Sequence, residues 1–268
     1  MVVTDYNPLT DDAPAEVSLA RSPLLLVLAQ ARFPVVASIE KREFIAPFQE
    51  AIRHDYPVLR PEQSRGLVIG PNGPPTETRE NTTWRFHDAT GDWRVSLSAD
   101  FLSLETSKYT SRTDFLARLT RVLSALVEHI NPAVIDRLGV RYIDRIVGDE
   151  LRDLAQLVRP DVCGVMGASF IAQARHSIVE SVFDLPAGKG LLMARWGLLP
   201  ANGTVDPGAI EPVPHPSWLL DVDAFQQGMR PLSVSAVVDQ ARGFAERIYS
   251  MFRWVVTDEF LRRYGGNI

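Results

Sequence analysis

Apolar and polar residues alternate most cleanly over residues 93–101. Trp93, Val95, Leu97, Ala99 and Phe101 share one parity, and Arg94, Ser96, Ser98 and Asp100 the other. A period of two with one apolar side predicts an antiparallel strand with one wet and one dry face. The run at residues 84–88 and the turn Ala89-Thr90-Gly91-Asp92 make it the second arm of a hairpin. Leu102 and Leu104 shift the alternation by one, so a bulge or strand end is predicted near Phe101.

The rest of the chain divides by the same reading. Residues 24–33 are almost wholly apolar, which predicts a strand covered on both faces and ended by Pro34. Ile45, Phe48 and Ile52 have helical spacing, with Pro47 tolerable in a first turn and Tyr56-Pro57 as the stop. A short strand at residues 66–70 precedes a loop, Pro71-Asn72-Gly73-Pro74-Pro75. Ser111 or Thr110 then caps a helix with Asp114 in its first turn. Its apolar stripe is Phe115, Leu119, Val122, Leu123, Leu126 and Ile130, and Asn131-Pro132 ends it.

The second half follows a similar order. Strands are predicted at residues 176–183, 191–196 and 218–225, with a Pro- and Gly-rich insertion over residues 199–216. A helix from Ser235 carries Val238, Ala241, Phe244, Ala245, Ile248, Phe252 and Val255. A last one runs from Asp258 to Tyr264, capped by Thr257 and stopped by Gly265-Gly266. The expected class is α+β, with mainly antiparallel sheets packed against long amphipathic helices in two loosely similar halves. Residues 1–21, with Pro8, Pro14 and scattered Asp, are expected to be a flexible lead-in. Residues 22–150 and 151–268 then form the two halves, packed as one compact unit.

Near the end of the first half lies Arg137-Leu138-Gly139-Val140-Arg141-Tyr142-Ile143-Asp144-Arg145-Ile146. Leu138, Val140 and Tyr142 predict a buried face, and Arg137, Arg141 and Arg145 fall on the other. This segment resembles the central R-L-G-x-R-Y-I-x-R-I of a sporadically distributed, uncharacterised bacterial family of about this length. The likeness extends to Tyr109, Ser111 and Phe115 at a helix start, to Arg32-Phe33-Pro34 after the first strand, to Tyr56-Pro57, and to the late helix with Phe252. It implies a whole-chain family after residue 22, and brings no activity or catalytic residues with it.

Composition narrows the function. A net charge of -5 gives no global basic field for nucleic acid or anionic lipid. The one cysteine, Cys163, allows no intramolecular disulfide or multi-cysteine zinc site. It fits a reducing cytoplasm and reads as a buried structural thiol. The N-terminus is acidic and polar, unlike a signal peptide, and residues 24–29 are too short to span a bilayer.

Two clusters carry candidate chemistry. Arg137, Arg141 and Arg145 recur every four residues, roughly 13 Å apart along a strand, a spacing that suits an extended anion such as a nucleic-acid backbone. The competing reading pairs each with a carboxylate on a neighbouring element, because an unpaired buried guanidinium is prohibitively costly. Trp84 and Trp93 are weighed as base-stacking surface and read as core. Asp221 and Asp223, two apart in a strand, share a side and would grip Mg²⁺, with Glu180 or Asp184 as a third oxygen donor. Acidic pairs on solvated strands are the commoner explanation.

No histidine pair among His54, His87, His129, His176 and His215 has metal-ligand spacing. There is no G-x-S-x-G, Walker A or G-x-G-x-x-G sequence, so no cofactor is expected. The leading expectation is a cytoplasmic binding or interaction protein without a catalytic site, acting with a protein partner or as a homo-oligomer. The alternatives are a Mg²⁺-dependent phosphoester enzyme and a local nucleic-acid or anion binder. No membrane partner is expected.

Overall fold

The computed structural model describes residues 6–68, 77–170 and 173–267. Its strands are β1 (Leu24–Arg32), β2 (Val58–Val68), β3 (Glu77–His87), β4 (Trp93–Ser98), β5 (Phe101–Thr106), β6 (Val134–Val147), β7 (Ser177–Asp184), β8 (Leu191–Leu199) and β9 (Ser217–Pro231). They form one antiparallel sheet in the order β2-β3-β4-β5-β1-β6-β9-β8-β7. The helices are α1 (Arg42–Ile52), α2 (Arg112–His129), α3 (Leu154–Leu157), α4 (Pro160–Cys163), α5 (Val234–Val255) and α6 (Asp258–Arg263). Among the described residues no helix is long and apolar enough to cross a membrane.

The chain divides into two compact units, and the division is not at residue 150. One unit is Met1–Val27, Val140–Gln226 and Gly243–Ile268, and the other is Leu28–Gly139 and Gln227–Arg242. The boundaries fall inside β1, β6, β9 and α5, because these long elements run on from one unit into the next. Hydrophobic periodicity cannot mark such a boundary, since it continues unbroken through it.

In the unit built on Leu28–Gly139, β3 to β5 bury Trp84, Phe86, Trp93, Val95, Leu97, Leu102 and Leu104. Phe48 of α1 meets Phe86 edge-on at 5.7 Å, and Phe115 of α2 lies 5.9 Å from Trp93. Ser111 caps α2, its hydroxyl accepting the Asp114 N–H at 3.1 Å. The second hairpin arm is shorter than its alternation suggests. The chain turns at Ala99 and Asp100, whose carbonyls accept the N–H groups of Val36 (2.8 Å) and Phe33 (3.0 Å). The break falls where the shifted parity of Leu102 and Leu104 predicts a strand end, and residues 33–36 hydrogen-bond to it. The strand at residues 66–70 proves to be the end of the longer β2; Ile69, Gly70 and the Pro71 to Pro75 loop lie outside the described residues.

In the other unit, β8 is held between β7 and β9. Gly197 has φ +149, and an added Cβ would stand 1.8 Å from the Ser177 carbonyl, so only glycine fits there. Trp196 donates to the Val162 carbonyl at 3.1 Å, tying β8 to α4. Cys163 is buried, and burial pushes its thiol up. Residues 6–21 have definite partners. Val17 N–H donates to the Tyr249 hydroxyl (2.8 Å), which donates to the Ala15 carbonyl (3.0 Å), and Arg247 donates to the Asp11 carbonyl (2.6 Å). The expected lead-in is therefore a strap along α5, fixed by backbone carbonyls that give no composition signal.

Candidate functional site

Arg137, Arg141 and Arg145 lie on one side of β6, as the alternation requires. Arg141 is the most committed of them. Its Nε donates to Asp221 Oδ1 at 2.7 Å and its Nη2 to Asp221 Oδ2 at 2.9 Å, a bidentate fork. The remaining Nη1 donates to Asp206 Oδ2 at 2.7 Å. Arg195 stands directly opposite Asp221 in the β8–β9 ladder and donates to its Oδ2 at 2.6 Å. On its far side Arg195 opposes Glu180 of β7, at 3.5 Å. A charge row thus crosses Glu180, Arg195, Asp221 and Arg141.

Asp221 is 0% exposed, between Leu220 and Val222 in a stretch of β9 that is buried throughout. Desolvating a carboxylate costs several kcal/mol, and here three charge-assisted hydrogen bonds oppose that cost. Burial works against the Arg141 cation, and the hydrogen bonds and charges of Asp221 and Asp206 outweigh it, holding its pKa above the ordinary arginine value. Burial also opposes the Asp206 anion, and Arg141 outweighs it, holding that carboxyl below its usual range.

The insertion between β8 and β9 supplies Asp206. The Asp206 N–H donates to Thr204 Oγ1 (3.2 Å), and Thr204 Oγ1 donates to the Ile210 carbonyl (2.8 Å). Ile210 packs with Ile143, Leu199 and Leu219, which seats the loop on the sheet. Arg145 reaches the same loop, donating to the Glu211 carbonyl at 2.8 Å. Arg137 lies back over Gly139, where an added Cβ would meet its Nη1 at 2.6 Å. The glycine of the Arg-Leu-Gly sequence makes room for that guanidinium.

Asp223 is half-buried and opposes Met193 of β8. Its neighbour in the proposed metal pair, Asp221, presents both oxygens to guanidinium donors. Among the described residues no group of three His, Cys, Asp or Glu side chains could hold a metal ion. Trp84 is buried and donates to the Ile39 carbonyl at 2.8 Å; Trp93 is buried beneath the Arg118 guanidinium, 4.3 Å from its ring centre.

The other side of β6 holds a group that the sequence reading passed over. Asp144 is 8% exposed, on the face that buries Leu138, Val140 and Ile146. Burial pushes its carboxyl up to about 7, and among the described residues no donor meets it. Nearby, burial pushes the Tyr264 hydroxyl up to about 12, with Glu150 and Asp144 adding to the shift and Arg21 and Arg263 opposing it. Arg195 and Asp206 were also passed over. The signal for Asp221 was present: one carboxylate set among Trp218, Leu219, Leu220 and Val222 needs a cation.

No protein-family model matches this chain, and no curated protein matches it.

Proposed function

We propose that this is a noncatalytic binding or protein-interaction protein working in the cytoplasm, built from two loosely similar α+β halves that each carry a long amphipathic helix. The observation that carries the reading is the row Glu180, Arg195, Asp221, Arg141 and Asp206, whose groups hydrogen-bond to one another rather than converge on a vacant centre. A metal-dependent phosphoester enzyme needs carboxylate lone pairs aimed at the ion, and at Asp221 guanidinium donors occupy both oxygens. An anion binder needs guanidinium donors aimed at the ligand, and Arg141 spends its forks on Asp221 and Asp206. The resemblance at residues 137–146 agrees with this reading, since it brings no catalytic residue.

The test is a phosphoesterase assay with Mg²⁺ and Mn²⁺, alongside nucleic-acid binding across a salt series. The reading expects no turnover, no melting-temperature shift on adding metal, and no salt-dependent binding. Metal-dependent hydrolysis lost in a folded Asp221→Asn variant would overturn it. So would nucleic-acid affinity that falls with salt and with Arg145→Ala.

A further inference from the structure

The sheet has two ends, and they are guarded differently. At one end β2 carries Arg60, Pro61 and Glu62, all exposed, the charges and missing N–H that blunt an edge. At the other end, among the described residues, β7 pairs only with β8. It contains neither proline nor lysine, and it exposes Val179 (45%) and Val182 (56%). An edge that lacks proline and lysine and exposes apolar side chains is a template for another strand, with Glu180 and Asp184 as its exposed charges.

The sequence of this edge suits itself. Arg175 and His176, both exposed, stand at its start, and Glu180 and Asp184 lie toward its end. Antiparallel pairing of two copies brings the basic start of each to the acidic end of the other. A perpendicular twofold axis maps each face onto itself, so only pairings within one parity are allowed. Centring on Glu180 sets two carboxylates face to face, which is repulsive. Centring on Ser181 places Glu180 diagonal to both Glu180 and Asp184 of the second copy. Centring on Val179 puts the exposed valine against its own copy, Ile178 against Glu180, Ser177 against Ser181 and His176 against Val182. His176 of one copy then stands diagonally between Glu180 and Asp184 of the other, within side-chain reach.

We propose that two copies of this chain join along β7, antiparallel, with the twofold axis at Val179 and the charges at the two strand ends setting the register. The inference is independent of the noncatalytic reading, because it concerns an edge rather than the charge row's chemistry.

The test is molar mass by sedimentation equilibrium from low micromolar concentration upward, for the full chain and its variants. The native chain is expected to dimerise. His176→Glu places a carboxylate between Glu180 and Asp184 of the second copy and is expected to weaken the dimer by at least about tenfold. His176→Lys, at the same exposed position, is expected to keep or tighten it, and so controls for folding. Val179→Cys in a Cys163→Ser background is expected to give a disulfide-linked dimer on mild oxidation, since directly opposed strand residues lie about 4.5–5.5 Å apart at Cα. Ser181→Cys, which faces Ser177, is not. A monomer at all concentrations overturns the proposal. A dimer indifferent to His176→Glu, or one cross-linked through Ser181→Cys and not Val179→Cys, also overturns it.

Discussion

Asp221 and Asp144 belong to the same unit and are both buried, yet their surroundings are opposite. Asp221 on β9 is fully enclosed and receives hydrogen bonds from Arg141 and Arg195. Asp144 on β6 is 8% exposed, and burial alone raises its carboxyl to about 7. The contrast is one of donors: both carboxyls are buried, and guanidinium groups stand against the oxygens of Asp221 alone of the two.

The largest effect is expected where donors are most numerous. Asp221→Ala leaves Arg141 and Arg195 without their shared carboxylate, and breaking a buried pair from one side costs about 3–5 kcal/mol. Denaturant unfolding at neutral pH measures it. A loss below about 1 kcal/mol would mean that water or a shifted side chain replaces the carboxylate easily, and the contrast would collapse.

The next prediction takes the donorless partner. Asp144 has a folded-state value of about 7 against an ordinary 3.8, so between these limits the folded chain holds a proton that the unfolded chain releases. Stability therefore falls as pH rises through that window and levels off above it. Asp144→Asn, which mimics the protonated acid, is expected to remove the slope and to raise stability at pH 8 by roughly 4 kcal/mol. Equal unfolding free energies for native and variant chains across the window would sink the assignment.

What the sequence carried follows the same division. Alternation predicts β4 because one-sided burial writes itself into parity; the runs at residues 176–183 and 191–196 find β7 and β8 within a few residues, while β9 runs on from the predicted end at Phe225 to Pro231. The pattern predicts α2 and its Ser111 cap for the same kind of reason, since both are local. The parity shift at Leu102 marks the break between β4 and β5, but not the carbonyls of Ala99 and Asp100 accepting from Val36 and Phe33 that accompany it. The pattern misses the strap over residues 6–21, fixed by Tyr249 and Arg247. The arginine parity on β6 was legible, but the partners were not. Asp221 and Asp206 lie 80 and 65 residues away in sequence, and only the placing of β9 beside β6 and the folded insertion bring them in. Asp144 was hidden for a further reason: in a strand so rich in charge, a polar residue of the buried parity looks like one more solvated group.

Glu105, in the other unit, offers the intermediate case and the smallest expected effect. It is largely buried on β5 and opposes Arg94 of β4, with which it forms an ion pair. Burial pushes its carboxyl above the usual range, while Arg94 and Arg85 pull the other way. The pulls of Arg94 and Arg85 thus fall short of offsetting desolvation, and Asp144 has no arginine at all. With burial and the ion pair acting in opposite directions, Glu105→Gln is expected to change stability by less than about 1 kcal/mol at neutral pH. Its pH dependence has the sign of Asp144: the raised folded value makes stability fall slightly as pH climbs past 4.5. Carboxyl-carbon NMR titration reads the group directly, and Glu105 is expected to titrate above an ordinary glutamate. A Glu105 value at or below the ordinary one would show that the arginines outweigh burial there, and the account of its opposing contributions would fail.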